Sequence, residues 1–471
     1  MPGDRIVPLI IAVALFMENM DSTVIATSLP AIASDIGTNP LALKLAVTSY
    51  LLSLAIFIPA SGWTADRFGA RTVFRAAIAV FVLGSIGCAL SGSLTDFVIA
   101  RIVQGMGGAM MTPVGRMVLV RTISKRELVG AMAWVTTPAL IGPVLGPPVG
   151  GFITTYATWH WIFIINVPIG LLGIFLATRY IPDVRAEEHE RFDVAGMALA
   201  GLGIGGMAFG LSVLGLNFLP LSFVAALIFC GACFFAAYLA HARRTANPAL
   251  DLSLFRLPTF FASVCGGFIF RLGLGALPFL LPLMLQIGFG MTPFQSGMIT
   301  FASALGAMGM KWATAFILHQ FGFRNILVVN SVVSSIFLAV CAGFTATTPI
   351  ALMMILLFVG GFFRSLQFTS INTIAYAEVE PQRISRATAL VSVAQQLAVS
   401  AGVAVGAMAV ELTVHFKGGA LQAADFPPAF LAVAAISALS VLIFARLSSE
   451  AGAELADRLP TPAETSDQRA G

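Results

Sequence analysis

Glu18, Asp21, Arg101, Gln104, Arg271 and Arg364 all lie inside long apolar runs. An ionic side chain placed there is costly unless it is paired or wetted, so each is a candidate for function. Glu18 and Asp21 are three residues apart, as are Arg101 and Gln104, so each pair shares one face of its helix. A first helix starting near Ile6 and rising 1.5 Å per residue carries Asp21 roughly 22 Å inward, about 8 Å short of the far face of a ~30 Å hydrocarbon core. A fourth helix running back from Asp96 puts Arg101 roughly 7 Å below that same face. The depths match, so Asp21 and Arg101 are expected to pair, with Glu18 and Gln104 one turn deeper. Glu18 is then the group expected to load and release a proton near neutral pH, while Asp21 stays ionised beside its arginine.

The second half of the chain carries the opposite sign. Arg271 and Arg364 sit among Gly, Ser and Phe with no carboxylate in their own runs. They either face a cavity or are used up in capping carbonyls or pairing with Glu18. If they face it, an anionic or zwitterionic substrate is tolerated, because arginine binds carboxylate and phosphate oxygens bidentately. Phe268 and Phe363 lie close to this charged layer and are candidate wall residues.

The elements that position these groups follow from composition. Of 471 residues, 58% are hydrophobic and 10% charged, and mean hydropathy is +0.93. A soluble domain carries about 25% charged residues, so the chain is a polytopic membrane protein of all-α class. Runs of about 20 apolar residues give fourteen spans, near 6–30, 44–65, 72–92, 96–120, 129–155, 160–181, 194–214, 220–240, 259–285, 293–318, 325–345, 349–374, 387–412 and 428–446. The first run is too long for a signal peptide and is expected to stay as a helix. With the N-terminus cytoplasmic, nineteen of the 26 basic residues fall in inner segments and two, Lys44 and Lys417, in outer loops, with the rest inside spans. That bias puts both termini on the cytoplasmic side. Lys311, near a cytoplasmic helix end, and Glu411, near an outer one, read as interfacial.

Three loops and helices carry spaced motifs. After the second span comes GWTADRFGAR, with Gly62, Asp66, Arg67, Gly69 and Arg71. Gly62 permits close helix approach, Gly69 a tight turn, and Asp66 can cap the next helix or pair with an arginine, a latch for one conformation. HQFGFR, beginning 253 residues later at His319, follows the tenth span in the same way but lacks the Asp and Arg. A repeat of that length fits two six-helix halves separated by an inserted pair. In the fifth span, ALIGPVLGPPVGGF supplies Gly142, Gly146, Pro147, Pro148, Gly150 and Gly151, a bent helix built for close packing.

The loop resembles the cytoplasmic signature of the major facilitator superfamily. The fifth-span motif is similar to that superfamily's antiporter motif, and Arg101, Gln104 and Gly105 to its fourth-helix R-x-x-Q-G. Asp21, Thr23, Leu29 and Pro30, together with WHWIFIINVPIG (Trp159 to Gly170), resemble signatures of its fourteen-helix drug:proton antiporter family; His160 replaces the usual Arg. The resemblance covers roughly residues 5–446. It implies two six-helix bundles, residues 1–181 and 259–446, an inserted helix pair and linkers over 182–258, and a cytoplasmic tail, 447–471, expected to be disordered. It also implies export by alternating access from a bacterial inner membrane, with Arg101 tied to proton coupling.

No cofactor or metal is expected besides the proton. The partners are a small-molecule substrate and the lipid bilayer, not nucleic acid, and the chain is expected to be a monomer. A specific exporter of small organic anions, such as carboxylates or their metal chelates, is the alternative; a non-transporting sensor is the more distant one. A membrane enzyme lacks any nucleophile, metal or nucleotide constellation, and no P-loop supports an ATP-driven pump.

Overall fold

The computed structural model describes residues 3–123, 128–182, 193–214, 219–245 and 248–456. Lys125, Arg126, Arg185, Arg191, Arg458 and Arg469, all used in the count of inner charges, lie outside them. Among the described residues there are helices and no strands.

Thirteen helices among the described residues are long and apolar enough to cross a membrane: α1 (Ile6–Thr27), α2 (Pro40–Phe68), α3 (Ala70–Ala89), α4 (Leu94–Thr122), α6 (Trp161–Tyr180), α7 (Val194–Val213), α8 (Leu221–Ala242), α9 (Pro258–Gly288), α10 (Pro293–Phe321), α11 (Phe323–Gly343), α12 (Ile350–Ile374), α13 (Ile384–Lys417) and α14 (Ala423–Phe444). The remaining expected span is the continuous 29-residue helix α5 (Leu128–Tyr156), which holds four prolines. The fold is the fourteen-helix arrangement that the sequence implies.

Local chemistry starts and stops these helices. Ser93 accepts from the Asp96 amide to cap α4, and Thr292 with Gln295 forms a capping box on α10. Gly69, between α2 and α3, has φ 88°, and Gly322, between α10 and α11, has φ 74°. They stand 253 residues apart, so the repeat seen in the sequence is a repeat in backbone geometry.

Packing repeats as well. In the first half α1 lies on α5 and α6, α4 on α2 and α3, and α3 on α6. In the second, α9 lies on α13 and α14, α12 on α10 and α11, and α11 on α14, which is the same pattern eight helices later. The halves meet through α5 against α10 and α2 against α13. The inserted pair α7 and α8 pack on each other, and α7 leans on both α2 and α13.

Beyond α14, Leu447 is buried and Gly452 (φ 73°) packs against the Phe323 ring of α11. Residues 457–471 lie outside the described residues.

Candidate functional site

Asp21 and Arg101 do pair. Arg101 Nη1 donates to Asp21 Oδ2 at 2.8 Å, with both side chains at most 1% exposed. The same nitrogen donates to Gln104 Oε1 at 2.6 Å, and Arg101 lies over the Tyr50 ring, 4.1 Å from its centroid. The other carboxylate oxygen, Asp21 Oδ1, accepts from Gln104 Nε2 at 2.9 Å and Asn166 Nδ2 at 2.8 Å. Ser85 Oγ accepts from Gln104 Nε2 at 2.8 Å. Five helices thus surround one buried ion pair whose hydrogen-bonding capacity is well used, the condition under which such a pair survives desolvation.

Gln104, expected one turn deeper than Arg101 at the level of Glu18, therefore belongs with Asp21. Spacing fixes the face of a helix, but the Gln104 amide reaches back up toward the charges. Glu18 stands apart: its Oε2 accepts from Thr112 Oγ1 at 2.7 Å, and the side chain is half-buried. Close by, Tyr50 Oη is buried without a hydrogen-bond partner. A Cβ added at Gly108 would sit 3.2 Å from that hydroxyl and 3.7 Å from Glu18 Cγ, so Tyr50 spans the gap between the lone acid and the ion pair.

Between the halves lies a cavity of about 390 Å³. α1 contributes Thr23 and Thr27, α5 Pro143 and Pro147, α9 Leu277 and Pro278, and α10 and α12 complete it. Of the expected wall residues only Arg364 lines it, donating to Ser303 Oγ. Arg271 is 1% exposed, bonded to Asn372 Oδ1 at 2.7 Å, and lies behind the cavity-lining Phe368, 5.3 Å from that ring's centroid. Phe363 stacks on Phe337 instead, with centroids 5.7 Å apart, and neither Phe268 nor Glu18 is among the lining residues. A residue's depth along a helix did not reveal which way it points. Lys311, read as interfacial, lines the cavity and donates to Thr369 Oγ1 at 3.3 Å.

The loop motif forms an ion pair, Asp66 Oδ1 to Arg121 Nη2 at 2.5 Å, linking the end of α2 to the end of α4. Arg71 Nη1 reaches the Ile181 carbonyl at 3.5 Å, and Arg67 lies over the Trp63 ring. Gly62 is not needed for close approach here: an added Cβ would meet nothing nearer than Met117 Cε at 4.0 Å. The α5 motif does its packing as expected. A Cβ at Gly142 would come within 3.0 Å of the Phe16 carbonyl, one at Gly146 would strike Thr23, one at Gly150 the Val24 carbonyl, and one at Gly151 the Pro293 carbonyl on α10. On the facing helix, Gly297 leaves room for the Pro147 carbonyl and Pro148.

Polar contacts join the halves at the end remote from the termini. Lys44 Nζ bonds both oxygens of Glu411, at 2.8 and 2.9 Å, with Lys44 fully buried. Gln286 Nε2 donates to the Thr27 carbonyl at 2.9 Å, and the Phe294 amide to Thr155 Oγ1 at 3.0 Å. Lys44 and Glu411 were counted as a loop charge and an interfacial one; folding turns them into a buried bridge.

The second half holds an uncharged counterpart of the Asp21 cluster. Gln367 Nε2 donates to Ser331 Oγ at 2.6 Å, Asn330 Nδ2 to Gln367 Oε1 at 3.1 Å, and Ser440 joins from α14. Asn166, Ser85, Thr112 and Tyr50 were missed in the sequence. Asn166, inside the quoted IINVPIG stretch, was the one with a signal, an amide in an apolar span.

The sequence profile of the Major Facilitator Superfamily matches residues 11–330 and 263–467. The chain is 38% identical over 449 residues, 94% of either length, to "Putative multidrug resistance protein MdtD" of Salmonella heidelberg (strain SL476), and equally similar to the protein of that name from Salmonella typhimurium. The fold resembles that of a D-xylose-proton symporter (TM-score 0.66, 15% identity, 94% of this chain and 97% of that one). It also resembles a bacterial homologue of the human lysosomal transporter Spinster in an inward-facing state (TM-score 0.65, 15% identity, 98% and 99% coverage). A profile matching nearly the whole length, the doubled six-helix packing and the inserted pair lead to one assignment: the chain belongs to the major facilitator superfamily, a family of transporters and not of enzymes, in its fourteen-helix branch.

Proposed function

We propose that the protein is a proton-coupled antiporter that exports drugs or other small amphipathic molecules across a bacterial inner membrane by alternating access. The observation that carries this reading is the separation of a lone acid, Glu18, from an apolar cavity between the halves, with α1 contributing to both. The multidrug-resistance names of its relatives support it. Residues 1–181 and 259–446 are the two moving bodies, 182–258 the linker and inserted pair, and the chain works as a monomer with both termini in the cytoplasm. The bridged end then faces outward and the state described is closed to the outside.

In that state Glu18 releases its proton toward the cytoplasm while substrate enters the cavity. A shift of α1, which carries Glu18 and, two turns on, Thr23 and Thr27, links the two events. Opening the outer end frees substrate and lets Glu18 take a proton from outside. Asp21, held by Arg101, Gln104 and Asn166, stays charged and keeps α1 in register with α4 and α6. The apolar walls favour an amphipathic substrate over a small hydrophilic carboxylate.

The test is efflux from proteoliposomes of the full chain, acid outside, with a panel of fluorescent amphipaths. Gradient-driven efflux in the native chain and its loss in Glu18→Gln, with exchange between probes at equal pH retained, is the expected result. No gradient-driven efflux of any probe overturns the reading.

A further inference from the structure

The cavity is cationic. Arg364 and Lys311 line it, the one donating to Ser303 and the other to Thr369, both neutral hydroxyls. The lining contains no Asp or Glu. Among the described residues neither cation has a carboxylate within ion-pair distance. The acids of this depth, Glu18 and Asp21, are outside the lining, and Asp21 is already committed to Arg101.

We propose that the substrates taken by this cavity are amphipathic anions: an apolar body bearing a carboxylate or sulfonate. This deepens the proton-antiport reading and rests on it. Two positive charges without counter-charge, Arg364 half-buried and Lys311 exposed, repel a lipophilic cation, whereas an oxyanion supplies the missing partner and the guanidinium can hold it bidentately. The remaining wall, from Leu277, Pro278, Pro143 and Met308, receives the apolar body. Phe368 lines the cavity and has Arg271 5.3 Å from its ring centroid, so Arg271, itself outside the lining, adds positive potential to the site.

Charge bookkeeping gives this proposal a signature of its own. Exchange of one monoanion outward for one proton inward carries two positive charges inward, so an interior-negative potential drives it. Exchange of one monocation for one proton carries none. Each charge changes the limiting gradient about 50-fold per 100 mV.

The experiment uses two probes with one fluorophore and opposite charge, dansylglycine and dansylcadaverine. Each is loaded into proteoliposomes of the full chain, acid outside, with the potential clamped by potassium and valinomycin at zero or interior-negative. The expected result is dansylglycine efflux that rises with potential, falls about tenfold or more in Arg364→Gln because a charged hydrogen bond is lost, and is partly restored in Arg364→Lys. Both variants are checked for monodispersity, and the Lys variant keeps the test alive if Gln does not fold. Dansylcadaverine moving under the proton gradient while dansylglycine does not overturns the anion assignment and leaves proton-coupled export standing. Equal loss of both probes in Arg364→Gln also overturns it. If neither probe, nor any other amphipath, responds to the gradient, the antiport reading fails and this one with it.

Discussion

With the bridged end facing outward, as proposed above, Glu411→Gln should open the outer end of the protein. Lys44 Nζ sits 2.8 and 2.9 Å from the two Glu411 oxygens, with Lys44 0% and Glu411 13% exposed. The pair joins α2 of one half to α13 of the other. Removing the carboxylate charge leaves the ammonium buried and uncompensated, a loss of about 3–5 kcal/mol. In an outward-open state Lys44 is hydrated, so the loss falls on the closed state alone. The closed-to-open ratio should therefore fall by roughly 150- to 5,000-fold. Double electron–electron resonance between labels at Ser34 and Phe416, exposed near that end on opposite halves, should report a longer distance. Lys44→Met combined with Glu411→Leu should return it to the short value, since an apolar pair avoids both desolvation costs. A native distance distribution in Glu411→Gln, or a double variant as open as the single one, would refute the reasoning.

Asp21→Asn strands the Arg101 guanidinium in the interior and should lower stability by about 3–5 kcal/mol, seen as a large fall in the unfolding temperature in detergent; Asn166→Ala, which removes one of two neutral donors, should cost about 1–3 kcal/mol. Gly151→Val places a side chain on the Pro293 carbonyl of α10 and should hold the outer end apart, lowering transport while each half stays folded, as read by the same spin-label pair. Outside the spans, partial burial opposes the charge of Asp193, but hydrogen bonds from His241 and the Gly196 and Ala249 amides outweigh it and hold its carboxyl below the usual range. A lowered folded value means its stabilisation is complete above the ordinary carboxylate pKa of about 3.9 and disappears as pH falls through the lowered one. Asp193→Ala should cost about 1 kcal/mol at neutral pH, a difference from the native chain that closes in strong acid.

Length and apolarity made the fourteen spans readable, and the Asp21–Arg101 pair was readable because rise per residue turns position into depth. Azimuth was harder. Three-residue spacing put Gln104 on the face of Arg101 but could not say that its amide would return to Asp21. Nor could it separate Arg364, which reaches the cavity, from Arg271, which lies one aromatic ring behind it. Ser85 and Thr112 carry no charge, so nothing in a linear reading distinguishes them from ordinary helix-packing polar residues, whereas the Asn166 amide in an apolar span is a weak signal. Lys44 and Glu411 are 367 residues apart, and only the approach of two halves brings them together.

The inserted pair breaks the symmetry between the two flanks of the molecule. Two seams divide the halves, one along α2 and α13 and the other along α5 and α10. α7 lies over the first, where Gly201 and Gly205 pack on Ile56 and where Ala55, Ala200 and Val391 share one apolar cluster. Among the described residues the second seam carries no such cover, and its Leu140 and Met308, both 39% exposed, also line the cavity. Among the described residues the added helices therefore cover one flank of the boundary between the halves and not the other, which makes a two-fold architecture one-sided toward lipid.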